Sequence, residues 1–298
     1  MNGSPLRYPG GKALMTPFLV DLFRENGLQH IVYAEPYAGG AGAAINLLME
    51  NYVDRIIIND ANIGIYSFWH FLITEPDRFI QTIEEIPVTL TEWYRQKEII
   101  KNSTVPSFEL GVATFFLSRT NRSGVIKGGP IGGSTEEHQQ SAKYKIDCRF
   151  NKTNLVARLR DIADKRDRIS VFNMDALDFL QLLPHDTFVY LDPPYYVKGK
   201  SLYMDHYKEE NHQQLATYLL HEAAFPWLLS YDDTLQIREK YQDLILYRFP
   251  LKYTVSTQRI GYELLTHSNQ LHFPDIPQIK RNRKNKNILF ERIIAKKV

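Results

Sequence analysis

The stretch Asp192-Pro193-Pro194-Tyr195 constrains this chain more than any other part of its sequence. It follows the apolar run TFVYL at 187–191, which is typical of a buried parallel strand. Neither proline has an N–H group to donate, so the hydrogen-bond ladder of a sheet must end there. The strand therefore ends in a stiff turn that presents a carboxylate, free carbonyl groups and an aromatic ring.

This turn has the right chemistry to hold a planar exocyclic amine. The Asp192 carboxylate and the Pro193 carbonyl can accept the two N–H bonds of such an amine, while Tyr195 stacks on the ring that carries it. Accepting both protons keeps the nitrogen lone pair from delocalising into the ring, and this makes the nitrogen a better nucleophile. An ordinary strand-ending turn is the alternative interpretation of this tetrapeptide taken by itself.

Other apolar segments predict a parallel sheet around this strand. Further strands are predicted in four segments, 31–35, 55–60, 169–175 and 226–232. Helical patterns lie between most of them, and this alternation predicts an α/β fold with helices on both faces of the sheet. Asp60, Asp175 and Asp192 follow three of the strands, so we expect them at one crevice, because ligands of such sheets bind beyond the carboxyl ends of the strands. The late runs 244–255 and 287–294 predict antiparallel edge strands.

The strand–helix alternation breaks between about residues 75 and 152. This region opens with helical patterns such as 91–100. It then carries a glycine-rich segment at 123–134, which is typical of a mobile loop. We therefore expect a small second domain at 75–152, inserted into a sheet domain made of residues 1–74 and 153–298.

A glycine-rich turn, EPYAGGAG at 35–42, lies between the first predicted strand and its helix. Glycines there let a ligand approach the backbone and the helix N-terminus. The spacing is not the dinucleotide fingerprint, because Ile45 stands where Gly or Ala is expected. Asp60 ends the second predicted strand, where a carboxylate commonly receives a ribose diol. The turn and Asp60 together predict a site for a nucleoside-containing cofactor, with a plain strand–helix turn and a capping aspartate as the alternative.

The segment RYPGGK at residues 7–12 is a third candidate ligand-binding element. It is not a P-loop, because Leu6 stands at the first glycine of that motif and Ala13 at its Ser/Thr position. A lysine after a tight glycine turn can still hold a carboxylate as a point charge. Lys12 is therefore a candidate for the carboxylate of the methionine moiety of S-adenosylmethionine.

Charge is informative through its distribution. The formal net charge is +2, which by itself does not indicate a nucleic-acid partner. The segment 280–286, however, packs five cations into seven residues, and a second basic set comprises Arg119, Arg122 and Lys127. Such clusters can contact phosphates, and solvated loops are the alternative.

The rarer residue types exclude several classes of protein. One cysteine, Cys148, excludes an intramolecular disulfide framework and a multi-cysteine zinc site, and the nine histidines form no metal signature. The N-terminus lacks the apolar region of a signal peptide, and no apolar run approaches the roughly 18 residues of a membrane span. We expect a cytoplasmic protein with neither a metal nor a membrane partner.

These motifs, in this order, resemble the adenine-N6 DNA methyltransferases of the Dam type. That family has an aromatic-x-Gly-Gly-Lys segment, a glycine-rich loop, a target-recognition insertion and then DPPY. The corresponding stretches here are 8–12, 35–42, about 75–152, and 192–195. The resemblance spans nearly the whole chain. It implies a Rossmann-like class I methyltransferase sheet with an inserted, mainly helical target-recognition domain, S-adenosylmethionine as cofactor, and methyl transfer to adenine N6 in duplex DNA.

The resemblance also implies roles for individual residues. Asp60 would bind the ribose hydroxyls of S-adenosylmethionine, and Asp175 matches an acid near the cofactor adenine. The implied catalytic residues, which hold the target base, are Asp192, Pro193, Pro194 and Tyr195. The cofactor-binding set is Tyr8, Lys12, Glu35, Tyr37, Gly39, Gly40, Gly42, Asp60, Asp175 and Asp192.

The segment FFLSRTNRSG at 115–124 looks like the family's FFLNRxxxNG-type segment, which opens the DNA-contacting loop. Lys127 stands where Dam-like proteins have a base-contacting Arg, and a lysine cannot reproduce the bidentate contact of a guanidinium with guanine. The GATC target of Dam is therefore not carried over. The candidate DNA-binding residues are Arg119, Asn121, Arg122, Ser123 and Lys127.

Several alternatives stay open at this level. Cytosine N4 presents the same kind of amine, RNA is another substrate, and a non-catalytic DNA-binding relative would keep the fold. A nicotinamide oxidoreductase is disfavoured by the failed glycine fingerprint. For the enzyme we expect base flipping, a monomer, and a cognate restriction endonuclease as a functional partner.

Overall fold

The computed structural model describes residues 3–196, 207–253, 259–275, 277–280 and 287–293. Its centre is an eight-stranded sheet, accompanied by a separate two-stranded sheet. In chain order the strands are β1 (Val32–Glu35), β2 (Arg55–Asn59), β3 (Ile169–Phe172), β4 (Phe188–Leu191), β5 (Trp227–Asp232), β6 (Leu246–Tyr253), β7 (Arg259–His267), β8 (Gln278–Ile279), β9 (Ile288–Leu289) and β10 (Glu291–Ile293).

The large sheet has the order β10-β6-β7-β5-β4-β1-β2-β3. Strands β3, β2, β1, β4 and β5 pair in parallel, as the sequence predicts. The 3-2-1-4-5 order of these strands is that of a doubly wound α/β sheet. Strands β6 and β10 lie in the two late apolar runs and pair antiparallel with each other, as predicted, whereas β7, which pairs antiparallel with β5 and β6, was not predicted from the sequence.

Helices connect and cover these strands. They are α1 (Thr16–Glu25), α2 (Gly42–Met49), α3 (Ile63–Thr74), α4 (Pro76–Glu85), α5 (Leu90–Asn102), α6 (Phe108–Thr120), α7 (Glu136–Ser141), α8 (Lys152–Ala163), α9 (Ala176–Gln181), α10 (Glu209–His221) and α11 (Leu235–Lys240). Several start at side-chain caps that the sequence already contains. The Asn62 side chain, for example, accepts hydrogen bonds from the first N–H groups of α3, and Ser107 caps α6 in the same way.

The parallel strands are buried on both faces, and this explains their nearly continuous apolar sequences. One hydrophobic cluster contains Tyr33 and Phe188, and the cluster on the opposite face contains Ala34 and Val189, which alternate with them along β1 and β4. Each face is therefore covered by helices, and the polar ends of the strands are left as the place for a ligand.

Helices α4, α5 and α6 occupy the region where the sequence predicts a second domain. Helices α4 and α6 pack on α3, α4 also packs on α8, and α5 packs on α6; the rings of Phe68 in α3 and Phe115 in α6 stack with their centroids 5.6 Å apart. Gly111 permits this closeness, because a Cβ there would lie 2.8 Å from the backbone oxygen of Ser67. The buried side chains of these helices belong to the same cluster as those of β1 and β2. The region is thus helical and shares its core with the sheet, while the domain limits remain a prediction.

Some element ends differ from the sequence prediction. Strand β3 ends at Phe172, before Asp175, because the Asp175 side chain accepts a hydrogen bond from Leu177 N and so caps α9. The glycine-rich segment predicted to be mobile is held by specific hydrogen bonds, including Ile131 N to Thr120 O at 2.8 Å. Residues 254–255 and 294 of the two late apolar runs lie outside the described residues. None of the described helices has the length and apolar character needed to cross a membrane.

Candidate active site

A pocket of about 270 Å³ opens at the carboxyl ends of β1 and β4. The chain leaves β1 towards β2 on one side, while β4 lies on the other side, so this is the point where doubly wound sheets bind ligands. All of the predicted cofactor residues line it, namely Tyr8, Lys12, Glu35, Tyr37, Gly39, Gly40, Gly42, Asp60, Asp175 and Asp192. The structure therefore brings together residues from five separate stretches of the chain.

Asp192 lies directly after β4 and is held by a partner on each oxygen. Its Oδ2 atom accepts a hydrogen bond from Lys12 Nζ at 2.8 Å, and its Oδ1 atom accepts one from Ser230 Oγ at 2.8 Å. Burial raises the pKa of Asp192 to about 6; the Lys12 charge opposes this rise and the Glu263 charge adds to it. Asp192 is thus an ionised, oriented acceptor at neutral pH, and each oxygen keeps a further lone pair for a ligand.

Lys12 has several partners in the interior beside Asp192. Its Nζ atom donates to Gly10 O and to the hydroxyl of Tyr195, both at 3.1 Å, and it lies 3.5 Å from Glu263 Oε1. The Lys12 side chain is 7% exposed, so the aliphatic stem is shielded while the ammonium group stays at the pocket wall. The Gly-Gly-Lys segment predicts that Lys12 binds the cofactor carboxylate, whereas in the structure the Lys12 charge is matched by Asp192.

Tyr195 and Pro193 are not among the described residues that line the pocket, whereas Pro194 is. The Tyr195 ring is 2% exposed, and its hydroxyl donates a hydrogen bond to the carboxylate of Glu263. The predicted stacking of Tyr195 on a target base therefore requires a face of this ring to be uncovered when the base enters. Likewise, the Pro193 carbonyl must become accessible from the pocket before it can accept a hydrogen bond from the target amine, as predicted.

The glycine-rich turn after β1 is pinned to Asp60. Gly39 N donates to Asp60 Oδ2 at 2.8 Å, and Asn62 N donates to Asp60 Oδ1 at 2.9 Å. Gly39 has φ of +46°, and a Cβ there would lie 2.6 Å from the ring of Tyr8. Only glycine fits this combination of left-handed backbone and close approach. The turn, the Tyr8 ring and the Asp60 carboxylate form a cradle whose acceptors and apolar surface fit a nucleoside.

Glu35 points into the protein below the pocket. Its Oε1 atom accepts hydrogen bonds from Ala44 N at 2.9 Å and from the Tyr33 hydroxyl at 3.0 Å. Burial raises the pKa of Glu35 to about 8, so its carboxyl group holds a proton at neutral pH. The predicted cofactor residue Tyr37 is hydrogen-bonded to the hydroxyl of Tyr207, which also lines the pocket.

Two of the predicted DNA-binding residues lie inside the protein. Arg119 donates from Nε to Pro5 O at 2.6 Å, and burial lowers its pKa to about 10. Asn121 is fully buried; its Oδ1 accepts from Trp93 Nε1 at 2.7 Å and its Nδ2 donates to Val125 O and to Ile126 O, both at 2.9 Å. This burial does not fit the direct DNA contact predicted for either residue. Asn121 holds the base of the loop, and Arg119 holds the N-terminal segment at Pro5.

The remaining predicted DNA-binding residues are accessible. Arg122 and Lys127 are exposed and Ser123 is half-buried, with φ of +55° at Ser123. Gly124 must be a glycine, since its φ is +75° and a Cβ would lie 2.2 Å from Arg7 O. The loop thus presents two cations on a backbone fixed from below. In the C-terminal basic segment, Lys280 pairs with Asp21 at 2.8 Å, and residues 281–286 lie outside the described residues.

Sequence analysis missed two residues of the site, Ser230 and Glu263. Both are polar residues inside apolar strands, WLLSYD in β5 and RIGYELLTH in β7. A fully buried carboxylate in a strand is unusual and points to a specific partner. That pattern is visible in the sequence, but which partner it meets depends on the order of the strands.

The part of the chain that the structure describes contains no group of side chains arranged to bind a metal ion. There, no three His, Cys, Asp or Glu side chains gather as a group that could hold a metal ion. The Cys148 thiol is exposed and forms no disulfide.

The large, mostly parallel sheet with a pocket at its switch point is consistent with a methyltransferase fold. Residues 8–257 match the family described as D12 class N6 adenine-specific DNA methyltransferases, and the chain belongs to this family. The resemblance drawn from the motifs is thereby confirmed. The chain is also 24% identical over 206 residues to Modification methylase StsI of Streptococcus sanguinis. This alignment covers 65% of the chain but 29% of that relative, so the chain spans less than a third of the relative's length.

Proposed function

We propose that the protein transfers a methyl group from S-adenosylmethionine to the N6 amino group of adenine in duplex DNA. Membership of the D12 family supports this activity. The observation that carries it is the position of Asp192, an ionised acceptor oriented by Lys12 and Ser230 at the wall of the pocket. A carboxylate held in this way is ready to receive an amine N–H group.

The cofactor would occupy the cradle formed by the glycine-rich turn, Tyr8 and Asp60. Asp60 would accept the ribose hydroxyls, and Asp175 would lie towards the adenine ring. When bound, S-adenosylmethionine supplies an activated methyl group on a sulfonium. The protein's part is to place the target nitrogen in line with that carbon.

At the target base, Asp192 and the Pro193 carbonyl would accept the two amine N–H bonds. This localises the nitrogen lone pair, so that the nitrogen can form a bond to the methyl carbon while the bond from carbon to sulfur breaks. The surplus proton of the methylated nitrogen leaves towards Asp192 and then to solvent. Lys12 and Ser230 keep the carboxylate in place throughout.

A base inside a duplex cannot reach this pocket, so the target adenine must be flipped out of the stack. Flipping costs a few kcal/mol of stacking and pairing. Stacking on Tyr195 would return about 1–3 kcal/mol of that cost once a face of the ring is uncovered.

For DNA binding we assign separate tasks to the loop residues. Arg122 and Lys127 would contact phosphates or base edges, because both are exposed cations on a fixed loop. Ser123 would lie against the backbone of the DNA between them. Asn121 would support the loop from the interior, and Arg119 would hold the N-terminal segment beneath it. On this basis residues 75–152 form the target-recognition part of the protein.

The relative is named a modification methylase, and we extend that role to this chain. Methylation at its recognition site would then protect DNA from a cognate restriction endonuclease. Modified-base sequencing of DNA from cells that express the protein would define the site, and digestion with candidate endonucleases would test the protection.

The deciding experiment measures the methylated base. Purified protein is incubated with methyl-labelled S-adenosylmethionine and mixed-sequence duplex DNA, and the DNA is digested to nucleosides for mass spectrometry. We expect N6-methyladenine. N4-methylcytosine would show that the pocket accepts the N4 amine of cytosine instead. If calorimetry showed tight binding of S-adenosylmethionine but no label entered the DNA, the protein would be a non-catalytic relative. The same reaction with RNA in place of DNA tests whether RNA is the substrate.

A further inference from the structure

Glu263 is a fully buried carboxylate on the antiparallel strand β7. Its Cα partners are Asp232 on β5 and Phe249 on β6. It accepts a hydrogen bond from the Tyr195 hydroxyl, and its Oε1 atom lies 3.5 Å from Lys12 Nζ. A residue distant in sequence from every motif of the site therefore contacts two of its members.

Lys12 stands between two carboxylates. Its Nζ atom lies 2.8 Å from Asp192 Oδ2 and 3.5 Å from Glu263 Oε1, and the Tyr195 hydroxyl bridges Lys12 and Glu263. Burying a second negative charge beside Asp192 is costly, and replacing buried ion pairs by apolar residues is often neutral or stabilising. Stability alone therefore gives no reason to keep a carboxylate at this position.

We propose that Glu263 is a positioning residue for methyl transfer, which fixes the Tyr195 ring and the Lys12 ammonium group and strengthens Asp192 as an acceptor for the target amine. This inference rests on the proposed function. The Tyr195 hydroxyl donates a hydrogen bond to Glu263 and accepts one from Lys12. These two hydrogen bonds together set the tilt of the Tyr195 ring. The negative charge of Glu263 opposes the ionisation of Asp192 and makes its carboxylate more basic.

Other titratable groups surround this cluster on the neighbouring strands. They are Tyr33 and Glu35 of β1, Tyr190 of β4, and Tyr231 and Asp232 of β5. Burial raises the pKa of Glu35 to about 8 and raises the pKa values of Tyr33, Tyr190 and Tyr231, so these four groups are neutral at neutral pH. Asp232 accepts a hydrogen bond from Tyr196 N at 2.9 Å.

Glu263 and Ser230 act on the Asp192 pKa in opposite directions, so substituting each of them gives a matched pair of variants. Burial is the largest cause of the raised Asp192 pKa, and the Glu263 charge raises it further, whereas the hydrogen bond from Ser230 lowers it. Glu263→Gln removes a negative charge without changing shape, so the Asp192 pKa should fall. Ser230→Ala removes a donor, so the Asp192 pKa should rise.

The experiment measures the ionisation of Asp192 in two ways, by NMR in the absence of catalysis and by the pH dependence of kcat. In the first arm, the protein is labelled at aspartate side-chain carbons and titrated by NMR, and the Asp192 signal is identified by its loss in Asp192→Asn. In the second arm, kcat for DNA methylation is measured against pH for wild type, Glu263→Gln, Ser230→Ala and the control Glu291→Gln. Glu291 is an exposed glutamate on β10 of the same sheet.

We expect the Asp192 titration and the acid limb of kcat to move to lower pH in Glu263→Gln and to higher pH in Ser230→Ala. We also expect kcat of Glu263→Gln to fall roughly tenfold, with an unchanged KM for S-adenosylmethionine. A fall in kcat without a pH shift, or an unchanged kcat, would reduce Glu263 to a structural residue and overturn the inference.

A second variant covers the case in which Glu263→Gln does not fold. Tyr195→Phe cuts the link to Glu263 from the other side, and we expect it to lower kcat with little change in cofactor affinity. An unchanged kcat in Tyr195→Phe would also overturn the inference. If no protein form methylates DNA, the proposed function fails by itself, while the NMR titration still reports whether Glu263 acts on Asp192.

Discussion

The Lys12 ammonium group lies 2.8 Å from the Asp192 carboxylate, although 180 positions separate the two residues in the chain. This ion pair joins the Gly-Gly-Lys segment near the N-terminus to the DPPY turn after β4. The two motifs, which the sequence assigns to cofactor and target base, thus share one buried contact.

Loss of the Asp192 charge should stop methyl transfer. Asp192→Asn keeps the shape of the side chain but replaces one acceptor by an amide, so we expect kcat to fall by about a hundredfold or more. Cofactor affinity measured by calorimetry should change little, because the cradle at Asp60 is intact. Asp186→Asn, an exposed aspartate just before the same strand, is the control. Near-normal turnover of Asp192→Asn would remove Asp192 from the chemistry.

The pH dependence of kcat should report the ionisation of Asp192. Its pKa is raised to about 6 from the ordinary value of 3.8, and the acceptor role needs the carboxylate. Activity should therefore be present above pH 6 and decline as the pH falls through that value. An acid limb near pH 4 in the wild-type enzyme would contradict the raised pKa.

Removal of the Lys12 charge should move that acid limb upward. In Lys12→Gln the Asp192 pKa rises, because the positive charge that opposes the effect of burial is lost. We also expect the free energy of unfolding to fall by about 3 kcal/mol, since two buried carboxylates lose their shared cation. Calorimetry with S-adenosylmethionine separates the two roles of Lys12. A large loss of affinity would show that it also holds the cofactor carboxylate.

Glu35 should make the folded protein less stable as the pH rises from about 4.5 to about 8. Its pKa is raised to about 8 from 4.5, so between these values the folded protein holds a proton that the unfolded chain has released. Stability therefore falls as the pH rises through this window, by up to about 1.4 kcal/mol per pH unit. Glu35→Gln imitates the protonated form and should flatten this dependence. Unfolding by urea between about pH 5 and pH 9 tests it, and equal slopes for both proteins would refute it.

The exposed loop cations should contribute to DNA affinity. Lys127→Ala and Arg122→Ala should each weaken binding and reduce the salt slope by about 0.9 per lost phosphate contact. Lys127→Ala should also change sequence preference if it contacts a base edge. Lys101→Ala, an exposed lysine on α5, is the control. Unchanged affinity and preference in both loop variants would mean that DNA binds elsewhere.

Asn121 should matter for folding rather than for direct DNA contact. Asn121→Ala removes the acceptor of Trp93 Nε1 and the side-chain donor of the Ile126 carbonyl, whereas the Val125 carbonyl keeps its hydrogen bond from Gly128 N; we expect the free energy of unfolding to fall by about 2–3 kcal/mol. The exposed Asn102→Ala on α5 is the comparison, for which the change should be within about 0.5 kcal/mol. An equal, small effect in both would contradict the supporting role.

The parallel sheet was predictable because its signals are local. A strand such as β4 needs only a short apolar run, and the following prolines mark its end. The pocket was predictable for a related reason, since parallel strands bring their carboxyl ends to one edge. Asp175 was misplaced at a strand end because a capping aspartate and a strand-ending aspartate look alike in sequence.

The sequence by itself determined the α/β architecture, the glycine-rich turn after the first strand, and the motifs that identify the family, because each depends on the chemistry of a few consecutive residues. The tertiary structure decided which distant side chains meet. It turned Arg119 and Asn121 inward, and it placed Glu263 beside Lys12 through the antiparallel insertion of β7 next to β5. Which charged residues are buried, and which residues they pair with, depends on strand order and helix packing. A local sequence pattern does not contain this information.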